Sequence, residues 1–184
     1  MIEKIIERIN ANEKIIMAID GKCGAGKTMV ANKLQAIYNC DVIRMDDFFL
    51  PPRLRTDERL NEPGGNIHYE RFTEEVAEKI NRTIEYKIFD CSVMDYNGTK
   101  TIHPQKLIII EGSYSLHPKY SGIYNLKVFV DVAEDEQLRR IKKRNPQLYE
   151  KFKNIWIPME NKYFDEFNIK ESCDLIITCD IIAF

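Results

Sequence analysis

Eight consecutive residues, Gly21-Lys22-Cys23-Gly24-Ala25-Gly26-Lys27-Thr28, carry the pattern GxxxxGK followed by a hydroxyl residue. Three glycines let the backbone curl so that successive N–H groups, those of Cys23 and Ala25 among them, point at one anion. A helix opening at the end of this loop would aim the positive end of its dipole at the same anion. Lys27 is placed to reach the outer phosphates of a nucleoside triphosphate, and the Thr28 hydroxyl to ligate Mg²⁺. The apolar run Ile15-Ile16-Met17-Ala18-Ile19 precedes the loop and a helical pattern follows it, which is the context this motif requires. These residues predict binding of Mg·ATP, although a loop that reads phosphates does not distinguish ATP from GTP.

Acids stand where such a loop needs them. Asp46 and Asp47 end the short strand pattern Asp41–Met45, and Glu111 ends Leu107-Ile108-Ile109-Ile110. In an open parallel sheet, ligands bind beyond the carboxyl ends of the strands. A carboxylate there can accept the proton of an acceptor hydroxyl or hold the metal. Asp46 is read in both roles and Asp47 as an acceptor-side group, the alternative being that both cap the turn into Phe48-Phe49; periodicity does not say which of the two faces inward. Glu111 after four apolar residues is the arrangement in which a carboxylate orients Mg²⁺ through water. Arg139, Arg140, Lys142, Lys143 and Arg144 cluster on the helical pattern 134–144. They form either a solvated face or a lid, about residues 134–150, whose guanidinium groups neutralise charge on a transferring phosphoryl group. Arg140 and Arg144 are four apart and share a face.

The elements that must position these groups alternate. Helical patterns at 2–10, 28–38, 69–80, 134–144 and 152–167 are interleaved with short apolar strands at 15–19, 41–45, 107–110, 127–132 and 174–178. The expected fold is α/β, one domain over residues 1–184, with a mainly parallel sheet and helices on both faces. Residues 50–66 hold three of the seven prolines and the pair Gly64-Gly65, a long loop of the kind that usually carries function. Arg53, Arg55 and Arg59 within it either meet an anionic acceptor or face solvent. Asn97-Gly98 marks the turn of a small hairpin between 86–93 and 100–103. Pro158 opens or interrupts the helix at 152–167. His103 and His117 each precede a proline and read as structural, and Trp156, Tyr163 and Phe164 read as core.

Composition narrows the partners. The 184 residues carry a formal net charge of −2. This gives no electrostatic reason to expect a nucleic acid or an anionic membrane as partner. Apolar runs are too short to span a bilayer, and the charged start Met1-Ile2-Glu3-Lys4 lacks a signal-peptide core, so the cytoplasm is the expected location. Cysteines at 23, 40, 91, 173 and 179 form no CxxC pair and are expected as free thiols.

Taken together, the loop Gly21–Thr28, the run Asp46-Asp47-Phe48-Phe49-Leu50-Pro51, Ile109-Ile110-Glu111-Gly112, and Val130-Asp131-Val132 leading to Arg140 and Arg144 resemble the uridine kinase-like group of P-loop kinases. The resemblance runs from about Ile15 to Arg144. It implies a kinase that moves the γ-phosphoryl of ATP to a hydroxyl of a small, nucleoside-like molecule. Asp46 would be the base, Glu111 would act near the metal, and Arg140 and Arg144 would belong to the lid. His68 and Tyr69 would lie on the acceptor-side segment Gly65–Tyr69. Self-association is common in the group, which makes a homo-oligomer an expectation of the resemblance. Two features depart from it: His68 stands where uridine kinases place an Asp on the ribose diol, and Asn145-Pro146-Gln147 replaces a further lid arginine. A nucleoside, a related riboside, pantothenate or a sugar phosphate all suit such a pocket. The alternative is a regulatory protein that hydrolyses a nucleotide without a small-molecule acceptor.

Overall fold

The structure, a computed structural model, describes residues 2–178; Cys179 lies outside the described residues. In chain order the elements are α1 (Ile2–Asn10), β1 (Ile15–Gly21), α2 (Lys27–Tyr38), β2 (Asp41–Arg44), α3 (Asp57–Asn61), α4 (Tyr69–Glu75), β3 (Ile84–Asp90), β4 (Asp95–Ile102), β5 (Leu107–Glu111), β6 (Leu126–Asp131), α5 (Glu134–Arg144), α6 (Tyr149–Lys151), α7 (Ile157–Glu166) and β7 (Leu175–Thr178). Five strands form one parallel sheet in the order β2-β5-β1-β6-β7. β3 and β4 pair antiparallel as a separate hairpin.

Side chains alternate across each strand, so an apolar strand must be covered on both faces. Ile15, Met17 and Ile19 of β1 point to one face, where they meet Ile5 and Ile9 of α1 and Val30, Ala31 and Leu34 of α2. Ile16 and Ala18 point to the other, into an aromatic-rich core with Phe48, Phe72, Tyr86, Tyr120 and Tyr163. Ile5 and Ile9, four apart, form the buried stripe of α1. Because the strands run parallel, Gly21, Arg44, Glu111 and Asp131 all finish at the same edge. There β1 approaches β6 closely: Gly21 has φ 132°, and a Cβ on it would lie 2.1 Å from the Val130 carbonyl oxygen, so no side chain fits.

Several boundaries differ from the sequence expectation. The helix expected over 69–80 ends at Glu75 and passes into a 3₁₀ turn, Ala77–Lys79. The long connection 50–66 holds a 3₁₀ turn, Pro52–Leu54, and α3. The helix expected over 152–167 is split: a π-helical turn, Phe152–Trp156, precedes α7, and Pro158 sits in the first turn of α7, where its missing N–H costs least. The hairpin does not turn at Asn97-Gly98. Lys87 pairs with Thr99 and Phe89 with Tyr96, so Asn97 and Gly98 together oppose Ile88 in a bulge, with Gly98 at φ 95°. The chain turns instead after Asp90, whose carboxylate accepts from Ser92 N (2.8 Å), Ser92 Oγ (2.6 Å) and Asn97 Nδ2 (3.0 Å).

Asp20, fully buried at the end of β1, ties this edge together. Its Oδ1 accepts from Gly21 N (2.7 Å) and Tyr114 N (3.1 Å), and its Oδ2 from Leu116 N (2.9 Å) and the Tyr163 hydroxyl (2.9 Å). Burial pushes its carboxyl up to about 6, against the pull of these donors and of Lys27. The folded state therefore holds this proton more tightly than the unfolded state does, and the resulting stability is complete below the ordinary value of 3.8 and lost as pH rises through about 6. Asp20→Asn turns an acceptor into a donor facing N–H or O–H groups, which is expected to cost about 1–3 kcal/mol. It should also flatten the fall in stability between those two pH values. Urea midpoints measured across that range check both, and a variant as stable as the parent would show that Asp20 is not the tie.

Candidate active site

The phosphate loop sits at the carboxyl edge of the sheet, between β1 and α2. Its outer rim is held by neighbouring elements. From α5, Gln137 Nε2 donates to Cys23 O (2.9 Å), and Arg140 Nη1 to Gly24 O (3.3 Å) and Ala25 O (3.4 Å). Lys22 Nζ donates to Val132 O (3.0 Å) and pairs with Asp131 at 2.9 Å. Lys27 is buried, and its ammonium donates to Gly21 O (2.5 Å), Lys22 O (3.1 Å) and Ser113 Oγ (3.1 Å). Thr28 Oγ1 donates to Glu111 Oε1 (3.1 Å), and Arg44 Nη1 donates to the same oxygen (3.0 Å).

The two neighbouring aspartates have different surroundings. Both belong to the 3₁₀ turn Met45–Phe48 that follows β2. Asp46 is exposed, yet the protein around it pushes its carboxyl above the usual range. Lys27, Arg44 and Arg144 oppose that push, while Glu160 adds to it. Asp47 instead accepts from the Tyr86 hydroxyl of the hairpin through Oδ2 (3.2 Å) and from Arg71 Nη2 through its carbonyl (2.7 Å). The Glu111 carboxyl is raised by burial and by Asp46, and lowered by Lys27, Thr28 and Arg44. Asp46 and Glu111 thus share one electrostatic environment centred on Lys27.

These donors suit Mg²⁺, a hard cation that takes oxygen ligands and is commonly held by one or two carboxylates plus phosphates and water. The Thr28 hydroxyl and the Glu111 carboxylate, 3.1 Å apart, supply such oxygens, with the Asp46 carboxylate near enough to perturb Glu111.

On the acceptor side the fit is mixed. His68 is half-buried; its Nδ1 shares a hydrogen bond with the Tyr96 hydroxyl (2.5 Å), and burial lowers its pKa, which favours a neutral ring. Tyr69 lies in the core. Its hydroxyl donates to Pro63 O (3.1 Å), and its ring packs on His117 (4.5 Å) and beneath the Arg59 guanidinium (4.7 Å). The three loop arginines hold the connection in shape. Arg55 Nε donates to Leu50 O (2.7 Å), Arg59 donates to Gly65 O (3.2 Å) and Ile67 O (3.0 Å), and Arg53 pairs with Asp95 of the hairpin. Arg144 is exposed at the end of α5, over the Phe152 ring at 5.8 Å, and its charge still reaches Asp46.

Four site residues escaped the sequence reading: Asp20, Arg44, Ser113 and Glu160. Glu160 Oε2 accepts from Cys23 N (2.9 Å), and its Oε1 from Ser113 Oγ (2.5 Å). A usable sequence signal existed for Glu160: it is an acid on the stripe Ile157, Glu160, Phe164 that α7 buries. The ion pair of Arg44 with Glu111 gives a direct check of the site electrostatics. Arg44→Gln removes a cation that holds the Glu111 carboxyl down, so Glu111 should titrate at higher pH than in the parent. A ¹³C carboxyl NMR titration reads this, and an unmoved midpoint would show the pair to be immaterial.

No family model matches the sequence. The chain is 23% identical to uridine-cytidine kinase C of Dictyostelium discoideum over 128 residues, which covers 68% of this chain but 28% of that protein. It is 23% identical to the uridine kinase of Chlamydia pneumoniae over 181 residues, covering 89% of this chain and 81% of that one. The solved structure of a possible uridine kinase from Bacillus stearothermophilus aligns with a TM-score of 0.74 at 16% identity, over 96% of each chain. The fold is therefore the α/β fold of the P-loop kinases, and in sequence the chain is similar to the uridine kinase-like members of that group.

Proposed function

We propose that this chain is an ATP-dependent small-molecule kinase that moves the γ-phosphoryl of Mg·ATP to a hydroxyl of a nucleoside-like acceptor. The observation that carries this reading is Asp46: an exposed carboxylate, raised above its usual range, that feels the Lys27 charge as does Glu111, the carboxylate bonded to Thr28 at the loop. A carboxylate so placed can take the proton of an acceptor hydroxyl. Uridine and uridine-cytidine kinases among the relatives put nucleosides first among the acceptors to test.

In this reading Lys27 leaves part of its present hydrogen bonding to contact the outer phosphates; the Cys23 and Ala25 N–H groups, expected to face them, are taken by Glu160 and Lys22 O, which leaves the other loop N–H groups to hold the rest of the triphosphate. Thr28 and Glu111 would hold Mg²⁺, which would supply positive charge to offset that of the phosphates. Asp46 accepts the proton of the acceptor hydroxyl as its oxygen bonds to the γ-phosphorus and the bond from that phosphorus to the ADP oxygen breaks. Arg144 stabilises the negative charge on the transferring group, and Arg140 holds the loop from α5. His68, paired with Tyr96, presents a neutral ring on the acceptor side where uridine kinases use an acid, so uridine need not be the preferred acceptor.

The test is ADP release with Mg·ATP across nucleosides, related ribosides, pantothenate and sugar phosphates, with Lys27→Ala as the blank. One acceptor should raise turnover well above the background hydrolysis. A flat panel with Lys27-dependent nucleotide binding would favour the switch reading. Asp46→Asn should bind Mg·ATP nearly as the parent does and lose roughly 10²–10⁴-fold in kcat. Because the base works ionised and its pKa is raised, kcat should fall as pH drops through a value above the ordinary 3.8 of Asp. An Asp46→Asn enzyme with full turnover would remove Asp46 from this role.

A further inference from the structure

Resting on the kinase reading above, we infer that Glu160 of α7 is a positioning residue for phosphoryl transfer: it fixes the Cys23 peptide of the phosphate loop and, through Ser113, the ammonium of Lys27. Glu160 is 5% exposed, a depth at which a carboxylate is rarely found without specific partners. Both of its oxygens are engaged at the site. Oε2 accepts from the Cys23 N–H, 137 residues away in sequence, and Oε1 from the Ser113 hydroxyl. Ser113 Oγ in turn accepts from Lys27 Nζ at 3.1 Å. The result is a continuous chain from the Lys27 cation through a hydroxyl to the Glu160 anion, in which each bond polarises the next.

The Cys23 peptide is gripped at both ends by different helices. Glu160 takes its N–H, and Gln137 of α5 takes its C=O at 2.9 Å. One turn further along α7, the Tyr163 hydroxyl is bonded to Asp20 at the end of β1. α7 is therefore fastened both to the loop and to the strand that leads into it. Glu160 also reaches the proposed base, because its charge raises the Asp46 carboxyl. A buried carboxylate serving packing alone would have no reason to converge on the loop peptide, the lysine and the base together.

Glu160→Gln tests the hydrogen bonds apart from the charge. Its amide oxygen can accept from Cys23 N–H and its NH₂ can donate to Ser113 Oγ, whose own proton can turn to Gly21 O, 3.3 Å away. Glu160→Ala removes both bonds. The expected result is a loss of roughly 10- to 100-fold in kcat/KM for Mg·ATP in Glu160→Ala, with the acceptor KM unchanged and activity largely restored in Glu160→Gln. Calorimetric titration with Mg·ATP reads the donor site without turnover and should show the same order of variants. Ser113→Ala should lose activity alone, and adding it to Glu160→Ala should cost little more, because both act on one path. The inference is overturned if Glu160→Ala keeps the parent kcat/KM for Mg·ATP, if it weakens both substrates alike, or if the two substitutions are additive. Should Glu160→Ala fail to fold, Ser113→Ala carries the test, and its parent-like kinetics would be equally decisive. A parent chain without Lys27-dependent binding of Mg·ATP would instead overturn the kinase reading itself, and this inference with it.

Discussion

Burial of a single ammonium group organises this molecule. Lys27 sits inside the edge of the sheet, and its three protons go to Gly21 O, Lys22 O and Ser113 Oγ. A buried cation requires counter-charge nearby, and Asp20, Asp46 and Glu111 all feel it. Each of those acids arrives on a different stretch of chain, at or just after the end of β1, β2 or β5. The parallel register is what lets three strand ends meet around one lysine. Gly21, whose carbonyl accepts from the ammonium, has φ 132° and Val130 O where a Cβ would stand, so no side chain is tolerated there.

Much of this was legible in the chain. The loop is contiguous in sequence and depends mainly on backbone, so a local pattern specifies it. Strands covered on both faces read as unbroken apolar runs, and the acids that terminate them fall where a parallel sheet gathers its ends. The partners that meet through tertiary structure were not legible. Nothing in the residues around Cys23 announces Glu160, and nothing around Glu111 announces Arg44. Tyr69, itself named as an acceptor-side candidate, is buried, with its hydroxyl bonded to Pro63 O.

Local signals also failed where two structures could use the same chemistry. Asn97-Gly98 suits a tight turn, but a glycine with positive φ also suits a bulge, and the register chose the bulge because Asp90 caps the actual turn. The order of Asp46 and Asp47 was undecidable by strand periodicity because the strand has already ended. A 3₁₀ turn fans successive side chains around its axis and does not alternate them.

That turn has a consequence for how such a molecule can change over evolutionary time. One aspartate of the pair opens onto the lysine and its neighbouring loop, while the next is bonded to Tyr86 of the hairpin. The hairpin forms its own small sheet, and so looks like a detachable module that could be exchanged to suit a new substrate. It is not mechanically independent. The turn Met45–Phe48 joins the two aspartates: a displacement of the hairpin that carried Tyr86 with it would act on Asp47 and, through the same four residues, on Asp46.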